Sequence, residues 1–423
     1  MPEVKYKRYT AVMQQQPMPH FVGLDIGTSR VRCVVGTLDP VDPTHASIVG
    51  HGQAVNKGMR KGVIAHLDDV IEAVGQAVNE AERLSGMQFN QLTVNVNGAH
   101  VTGLNSKGVI AISSANREIS PNDRLRAEEA ATIVQLPPNR EIIQVFAKNY
   151  SVDGQDNIKD PVGMQGVRLE VDTHIVTAAT PNVRSVEQVL EKLQLHPAHK
   201  TVSGLAAAEA VLSRQQKEAG TLLLDIGAGT TNMAIIEDGE VQYVGVLPIG
   251  GTHVTNDLAI GLKTDLDIAE KVKLEHAAVA GATNKKLMTV KIGKKQFSFD
   301  GEEVVMITEA RIEELLEYVD KELKRIHKSR KLPGGVVIVG GGAKIPGIAD
   351  FAKEKLQLAC RIGKLQPVGG LIDTVNDPTY ATATGLMLLD MLLLPPQSAG
   401  QMGGSGDKFF NTVDGIWKKF RRK

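Results

Sequence analysis

The chain contains one short pattern twice, near its beginning and in its second half. The first copy reads GLDIGTSRVRCVVG from residue 23 to 36, and the second reads LLDIGAGTTNMAII from residue 223 to 236. In each copy an apolar segment ends in Asp, turns at small residues and continues as another apolar segment, which predicts two β-hairpins. Small turn residues let backbone N–H groups approach an anion. Two facing hairpins would hold a phosphate chain from both sides, with Asp25 and Asp225 free to orient a hydrated divalent metal.

Three further segments fit the same purpose. An apolar strand ends in Gly340, Gly341 and Gly342, where a bare backbone could lie against a flat adenine or ribose. The segment Ile249-Gly250-Gly251-Thr252 opens a helix whose N–H groups could meet phosphate. Residues 265–276 predict a helix that carries Glu270 and Lys273 on one face. Together these elements predict a nucleotide site built mainly from backbone.

The balance of charged residues excludes a strongly charged nucleic-acid-binding protein. Lys plus Arg and Asp plus Glu each number 48 in 423 residues, so no net field attracts nucleic acid.

Cys33 and Cys360 give neither a disulfide framework nor a metal-ligand spacing, which fits a reducing cytoplasm. No signal peptide is evident, and Asp390 interrupts the longest apolar run near the end. The length predicts two or three domains.

The region from about residue 88 to 170 has a different pattern of predicted strands and helices from the rest of the chain. Short strands near residues 108–112, 142–152 and 167–171 surround a helix predicted at 121–135, which Pro137 and Pro138 would end. This order predicts a small inserted α+β subdomain. Because it offers no nucleophile, metal cluster or glycine loop, we expect it to serve binding rather than chemistry.

The last residues predict a membrane-surface helix behind a linker. Residues 395–407 are rich in Pro, Gly and Ser and are typical of a flexible linker. In residues 408–423, KFFNTVDGIWKKFRRK, six large apolar side chains fall within about 120° of a helical arc. Basic residues fill the remainder, as in helices that lie in the plane of a membrane. Docking of this helix on a protein groove or on the protein's own core stays open as an alternative. The apolar residues are Phe409, Phe410, Val413, Ile416, Trp417 and Phe420, and the basic ones beside them are Lys418, Lys419, Arg421 and Arg422.

These motifs in this order resemble the actin, heat-shock-70 and hexokinase superfamily of ATP-binding folds. Within it, the chain is most similar to the FtsA family of bacterial actin-like cell-division proteins, from about residue 20 onward. The resemblance is carried by the two hairpins, by GMRKGVI at residues 58–64, by VLPIGG at 246–251 and by VVIVGGGAKIPGI at 336–348. The inserted subdomain and the basic terminal helix stand where this family has a special subdomain and a membrane anchor.

The resemblance implies a two-lobed α/β actin-like ATPase fold with a small inserted α+β subdomain and a C-terminal amphipathic helix. Residues 1–19 are expected to form a disordered lead-in. The implied divisions are a first lobe, 20–87 with 171–200 and 377–394; the insert, 88–170; a second lobe, 201–248 with 330–376; a subdomain on the second lobe, 249–329; the linker, 395–407; and the membrane-targeting helix, 408–423.

The same resemblance assigns ATP and Mg²⁺ as cofactors, with the metal held through water by Asp25 and Asp225. Glu270 and Lys273 would touch ribose and adenine, although a solvated ion pair is an alternative for them. Arg30 stands where relatives often carry Lys, so its contact to phosphate would be a planar fork. The first phosphate loop would be Asp25, Gly27, Thr28 and Ser29, the second Asp225, Gly227, Gly229, Thr230 and Thr231, and Gly341 and Gly342 would support the adenosine.

Hydrolysis is expected to be weak. Active ATPases of this superfamily, such as MreB, place an acid at the start of the helix before the second hairpin. This chain has Ser203 and Gly204 there, and Glu209 lies six residues further on. We therefore expect nucleotide to act as a switch that holds the lobes in a polymerisable arrangement.

The resemblance also implies partners and a location. Arg311 and Glu314, exposed on a helix predicted at residues 309–329, are the candidate surface for the C-terminal peptide of FtsZ. Further expected partners are other copies of the chain in actin-like filaments, an anionic lipid membrane, and downstream division proteins such as FtsN, with no nucleic acid. These place the protein on the cytoplasmic side of the inner membrane at the septum, tethering FtsZ filaments.

Two other functions remain open at this point. A sugar or acid kinase of the same fold would need a substrate cleft with a dedicated base, and no cluster of sugar-binding polar residues is evident. A PilM-like scaffold of type IV pili would not usually carry the basic terminal helix. Substrate-dependent ATP consumption would favour the kinase, and tail-dependent liposome binding would disfavour the pilus scaffold.

Overall fold

The computed structural model describes residues 19–39, 45–282 and 286–393. Nearly all of the predicted lead-in, the linker and the terminal amphipathic helix lie outside the described residues. Within the described ranges, no helix combines the length and apolar character needed to cross a bilayer.

The described chain contains both strands and helices, mostly in short groups of one kind. The strands are β1 (His20–Ile26), β2 (Arg30–Leu38), β3 (Ala46–Val55), β4 (Met59–Arg60), β5 (Val63–Ile64), β6 (Gln91–Val96), β7 (Thr102–Ala111), β8 (Arg140–Val152), β9 (Gln155–Ile158), β10 (Arg168–Ala179), β11 (His196–Val202), β12 (Thr221–Ile226), β13 (Thr231–Glu237), β14 (Glu240–Leu247), β15 (Leu287–Ile292), β16 (Lys295–Asp300), β17 (Gly335–Val339), β18 (Cys360–Ile362) and β19 (Gly369–Gly370). The helices are α1 (Leu67–Ser85), α2 (Pro121–Ala131), α3 (Thr180–Lys192), α4 (Ser203–Val211), α5 (Arg214–Ala219), α6 (Gly251–Gly261), α7 (Leu266–His276), α8 (Gly301–Arg325), α9 (Ile348–Leu356), α10 (Ile372–Val375) and α11 (Ala381–Leu393).

The first lobe is built on a six-stranded sheet in the order β11-β6-β1-β2-β3-β19. The first hairpin is formed by β1 and β2, which pair antiparallel with Asp25 opposite Arg32. β6 and β11 extend the sheet in parallel with β1. Helix α1 covers it with an apolar face, and Gly86, which adopts φ 68°, ends that helix. The carboxyl ends of β1 and β6 therefore meet at one edge, which is where a site is expected in a parallel sheet.

The second sheet joins the second lobe to the insert. Its nine strands run in the order β18-β17-β12-β13-β14-β7-β10-β8-β9, and β7 to β10 belong to the insert. The second hairpin, β12 and β13, repeats the register of the first, with Asp225 opposite Asn232. β14 and β7 meet through a single ladder pair, Gly245 with Thr102. The insert is thus a four-stranded antiparallel sheet with α2 packed on it, attached edge to edge to the second lobe.

Two helices, α4 and α11, connect the lobes by packing closely against each other. A Cβ placed on Gly385 would lie 1.7 Å from the carbonyl oxygen of Ala206, and one on Gly23 would lie 2.2 Å from that of Ala383. These glycines let the backbones of α11, α4 and β1 approach more closely than any side chain would allow. Further along α11, Asp390 fixes this helix to β1 and β6. Its carboxylate accepts hydrogen bonds from Val22 N at 2.9 Å and from Thr93 Oγ1 at 2.7 Å.

Several predicted boundaries were wrong. The helix predicted at 309–329 is α8, which begins eight residues earlier because Asp300 accepts from Glu302 N and caps it. It ends before His327, which has φ 59°. The helix that starts at Ser203 ends at Val211, and Ser213 caps the separate helix α5. Strand β6 lies in the first sheet, so the antiparallel strands of the insert begin at Thr102 rather than near residue 88.

The close packing of α11 on α4 predicts that Gly385→Ala is strongly destabilising. The added methyl group would overlap the carbonyl oxygen of Ala206, which lies 1.7 Å from its position. Because the obstacle is backbone, the two helices must separate, and we expect a loss of about 3 kcal/mol or more in the free energy of unfolding. Urea titration followed by circular dichroism measures it.

Gly75→Ala in α1 is the matched control. Its Cβ would meet only Leu193 Cδ2 at 3.5 Å, an ordinary contact. This substitution should stabilise the protein by about 0.5–1 kcal/mol through helix propensity. Equal unfolding midpoints for the two variants would contradict the close contact between the backbones of α11 and α4.

Candidate phosphate-binding cleft

The first turn is closed by its own backbone and supported from two sides. Gly27 N donates to Arg30 O at 3.1 Å, and the side-chain amide of Asn56 donates to Gly27 O at 2.9 Å. Thr28 Oγ1 accepts from Gly62 N at 3.1 Å, which ties the turn to the segment between β4 and β5. The tip of the turn, at Ser29 and Arg30, is exposed. Sequence reasoning singled out four of these residues but missed Asn56.

The second turn has the same construction and is joined to the start of α6. Gly227 N donates to Thr230 O at 2.9 Å, and Gly251 N donates to Gly227 O at 2.9 Å. A Cβ on Gly250 would lie 2.5 Å from Gly227 O, so the N-terminus of α6 packs directly on the turn. Thr230 and Thr231 are buried, and Thr231 Oγ1 donates to Ile249 O at 2.8 Å.

The two turns face each other across a narrow cleft. A Cβ on Gly229 would lie 2.9 Å from the Thr28 side chain and 3.1 Å from Lys61 Cα. Asn97, at the end of β6, donates its side-chain amide to Thr230 Oγ1 at 3.3 Å and so crosses from the first lobe to the second turn. The structure thus brings together the two loops that the sequence repeat suggested, with their N–H groups and hydroxyls at one place.

The two carboxylates lie at the base of this cleft. Burial raises the pKa of Asp25 from 3.8 to about 7, an effect that the nearby Arg32 opposes and that the charge of Asp225 reinforces. Burial also raises the pKa of Asp225, against hydrogen bonds from Asn232 and Thr382. Such carboxyl groups are poised to lose a proton when a cation approaches. Carboxylate oxygens suit Mg²⁺, and among the described residues no group of three or more ligating side chains occurs.

Asn95 organises the floor of the first turn. Its amide nitrogen donates to Asp25 Oδ1 at 2.7 Å and to Ser203 Oγ at 2.9 Å, and its oxygen accepts from Ile26 N at 2.8 Å. Arg32 also reaches this region, with its guanidinium 5.2 Å from the centre of the Tyr380 ring. Sequence reasoning missed both residues. The parallel pairing of β1 with β6 places Asn95 here, and only the hairpin register, Asp25 opposite Arg32, could have suggested Arg32.

The glycine triplet packs on the second hairpin. Gly340 has φ 81°, and its Cβ would lie 2.4 Å from Asp225 Oδ1. A Cβ on Gly342 would lie 2.4 Å from Ile226 Cγ2, whereas one on Gly341 would meet nothing within 4 Å. Gly340 and Gly342 are therefore required by close packing within the protein. Gly341 alone presents a bare backbone to the outside.

Glu270 and Lys273 share a face of α7, as predicted, and bind each other. Lys273 Nζ lies 2.6 Å from Glu270 Oε2. The same ammonium group donates to Thr255 Oγ1 at 2.9 Å and to Gly251 O at 3.3 Å, so the pair reaches the first turn of α6 beside the second phosphate turn. The ion pair that sequence reasoning held as an alternative is thus present, and it is anchored to the cleft.

Two expectations about acidic and basic residues are refined by the structure. Arg311 was expected to be exposed, but it is half-buried because its guanidinium binds Asp257, with Nη2 2.9 Å from Oδ1, and also Glu314. Glu209 was considered as a distant acid; it pairs with Lys217 at 2.5 Å. Ser203, at the start of α4, is buried and bound to Asn95.

Comparison with protein families and their members identifies what the chain is similar to. The family model described as "Cell division protein FtsA" matches residues 222–385, and that described as "SHS2 domain inserted in FTSA" matches residues 98–177. The cell division protein FtsA of Pseudomonas aeruginosa is 33% identical over 393 residues, which are 92% of this chain and 93% of that protein. The FtsA of Bacillus subtilis is 36% identical over 372 residues, 87% of this chain and 82% of that protein.

Solved structures confirm the predicted actin-like fold. A PilM-PilN type IV pilus biogenesis complex superposes with a TM-score of 0.62 at 16% identity, covering 88% of this chain and 99% of the other. MreB 5 of Spiroplasma citri bound to AMPPNP gives 0.53 at 13% identity, with 87% and 96% covered. A MamK double helical filament gives 0.51 at 15% identity, with 89% and 99% covered. At these identities the likeness establishes the fold alone.

The raised pKa of Asp25 predicts that Asp25→Asn stabilises the protein at alkaline pH. A carboxyl whose pKa is raised on folding stabilises the folded state at low pH, and this contribution is lost as the pH rises toward about 7. The neutral amide keeps the contribution at every pH. We therefore expect Asp25→Asn to have a larger free energy of unfolding than the parent protein at pH 8. At pH 5 the advantage of the variant should be smaller by about 2–3 kcal/mol. Urea titrations at the two pH values measure it.

Asp156→Asn, at an exposed position on β9, is the matched control and should show no such change. If the difference between Asp25→Asn and the parent protein did not depend on pH, the Asp25 carboxyl would be ionised in the fold and the description of the cleft floor would be wrong.

Proposed function

The chain belongs to the FtsA family of cell-division proteins, and from this we propose that it binds ATP with Mg²⁺, polymerises on the inner membrane and tethers FtsZ filaments there. The observation that carries the nucleotide part is the pair of facing turns above two buried carboxylates. Backbone N–H groups from both lobes would surround the phosphates, and Asp25 and Asp225 would orient the metal through water. MreB 5, of the same fold, is solved with AMPPNP.

The adenosine would lie between α7 and the glycine triplet. Glu270 and Lys273 are already aligned beside α6, and Gly341 offers the open backbone. Ser29 and Arg30, at the exposed tip of the first turn, would meet the phosphates from the first lobe. Hydrolysis would be slow, because the start of α4 carries a serine hydroxyl bound to Asn95 in place of an acid that could align water.

Self-association and FtsZ binding follow from the same family. MamK, of the same fold, forms a double helical filament, and we propose that this chain also stacks into filaments.

The subdomain 249–329 carries several large exposed apolar side chains, among them Ile260 at 77%, Leu274 at 73% and Met306 at 62% exposure. These side chains would supply apolar contacts to a bound peptide. The FtsZ peptide would bind here, and an acidic peptide would compete with Asp257 for Arg311.

The terminal segment would fasten the filament to lipid. Residues 408–423 contain six large apolar and six basic residues. Each cation would contribute roughly 1 kcal/mol to binding near anionic lipid, and burial of the apolar side chains in the membrane would add to this. The insert would bind neighbouring subunits or a division protein such as FtsN.

The alternative of a PilM-type pilus scaffold is supported only by structural similarity, whereas the relatives that share substantial sequence identity are division proteins.

Asp225→Ala should reduce the affinity for Mg²⁺·ATP by at least about a hundredfold, since it removes a charge-assisted contact to the metal's water. Displacement of a fluorescent ATP analogue measures this, and urea titration checks that unfolding stays cooperative. Asp350→Ala, at an exposed position of the same lobe, is the control. Unchanged affinity in Asp225→Ala would show that nucleotide binds elsewhere.

Trp417→Ser should weaken binding to vesicles rich in anionic lipid by about ten- to a hundredfold, because it removes the largest apolar side chain of the amphipathic segment. Removal of residues 408–423 should abolish binding. Thr412→Ser, in the same segment, is the control, and co-sedimentation with the vesicles is the measurement. Sedimentation of the truncated chain at the level of the full chain would contradict membrane attachment through this segment.

A further inference from the structure

We propose that Lys61, at the tip of the hairpin formed by β4 and β5, binds the terminal phosphate of the nucleotide and so favours a triphosphate over a diphosphate. The proposal rests on the proposed nucleotide binding and adds a specificity-determining residue to that site. Lys61 belongs to the segment GMRKGVI at residues 58–64, which lies outside both phosphate turns.

The hairpin of β4 and β5 is tied to the first phosphate turn at its base and at its tip. At the base, the side-chain amide of Asn56 donates to Gly27 O at 2.9 Å, and its Oδ1 accepts from Gly58 N at 3.0 Å. At the tip, Gly62 N donates to Thr28 Oγ1 at 3.1 Å. These bonds make the hairpin part of the side of the cleft that the first lobe contributes.

The tip of the same hairpin also touches the second phosphate turn. A Cβ on Gly229 would lie 3.1 Å from Lys61 Cα. A Cβ on Gly62 would lie 3.0 Å from Thr230 Cγ2 and 2.6 Å from Gly98 Cα. The hairpin therefore fills the corner where the two turns meet, and a lysine there has a four-carbon stem with which to reach a group held between them.

The backbone of Lys61 has a conformation that a lysine rarely adopts. Its φ is 49° and that of Gly62 is 76°, and Arg60 pairs with Val63 across these two residues. A two-residue loop with positive φ at both positions is a type I′ turn, which favours asparagine or glycine at its first position. The turn alone therefore does not explain the lysine. Strained residues of this kind cluster at functional sites.

The charge of Lys61 has no partner within the part of the chain that the structure describes. The residue is exposed, and its ammonium group makes no ion pair or hydrogen bond with the described residues. Pairing within the fold therefore does not account for the lysine either. A bound phosphate would supply a partner, because an ammonium group binds phosphate as a point charge.

The terminal phosphate is the group that this ammonium would meet. The adenosine is proposed to lie between α7 and the glycine triplet, both of which belong to the second lobe. From there the phosphate chain would enter the gap between the turns, and its last group would lie nearest to the hairpin of the first lobe. A diphosphate has no group at this point, so the lysine should matter little for its binding.

The test is calorimetric titration of the full chain at pH 7 with Mg²⁺·AMPPNP and, separately, with Mg²⁺·ADP. Lys61→Asn should weaken the binding of Mg²⁺·AMPPNP by about ten- to a hundredfold, because it removes a charge-assisted contact. The affinity for Mg²⁺·ADP should stay within about twofold of the parent value. Because asparagine suits a type I′ turn, the urea midpoint of this variant should not fall below that of the parent protein.

Two further variants separate the place of the charge from the charge itself. Lys263→Asn removes another exposed lysine with the same backbone conformation, φ 50°, and it should bind both nucleotides like the parent protein. Lys263 follows α6, about 15 Å along the helix axis from the second phosphate turn. Lys61→Arg keeps a positive charge at the tip of the hairpin and should retain most of the affinity for Mg²⁺·AMPPNP.

Unchanged affinity of Lys61→Asn for Mg²⁺·AMPPNP, or equal losses for the two nucleotides, would overturn the role of Lys61. So would an equal loss in Lys263→Asn, or a Lys61→Arg variant that binds as weakly as Lys61→Asn. A parent protein that binds neither nucleotide would instead overturn the proposed function.

Discussion

The structure depends on the burial of two carboxyl groups at the point where its two lobes meet. Asp25 and Asp225 end corresponding strands of the two hairpins, and burial raises the pKa of both. Isolated acids in such a place would destabilise the fold. Asn95, Asn232 and Thr382 donate hydrogen bonds to them, and Arg32 supplies the nearest positive charge. The remaining free-energy cost of burying these carboxyl groups is of the kind that functional sites retain, because a bound cation would remove it.

Backbone proximity is the second requirement of this arrangement. Gly340 and Gly342 let the end of β17 lie against the second hairpin, and Gly385 lets α11 lie against α4. In each place the nearest atom to an added Cβ would be less than 2.5 Å away, so no side chain fits at these positions. Close contacts of this kind leave little room for local adjustment of the packing.

Much of this architecture could be predicted from sequence because it is encoded locally. The two hairpins, the glycine triplet and the face shared by Glu270 and Lys273 are repeats or short spacings, and the structure contains each of them. Asn95 and Asn97 could not be found in this way, since their roles depend on β6 lying beside β1. Arg311 was misjudged as exposed because its partner Asp257 is 54 positions away in sequence. The start of α8 was missed because its first turns lack the strong apolar period of its later ones.

Nucleotide and its metal are proposed to bind between the facing turns, directly above the buried carboxyl groups. The most direct measurement is calorimetry of Mg²⁺·AMPPNP binding at pH 7 in two buffers of different ionisation enthalpy, which counts protons released on binding. With a pKa of about 7, Asp25 should release about half a proton, and Asp25→Asn should release measurably less. Binding that releases no proton, or the same number in both proteins, would contradict the claim.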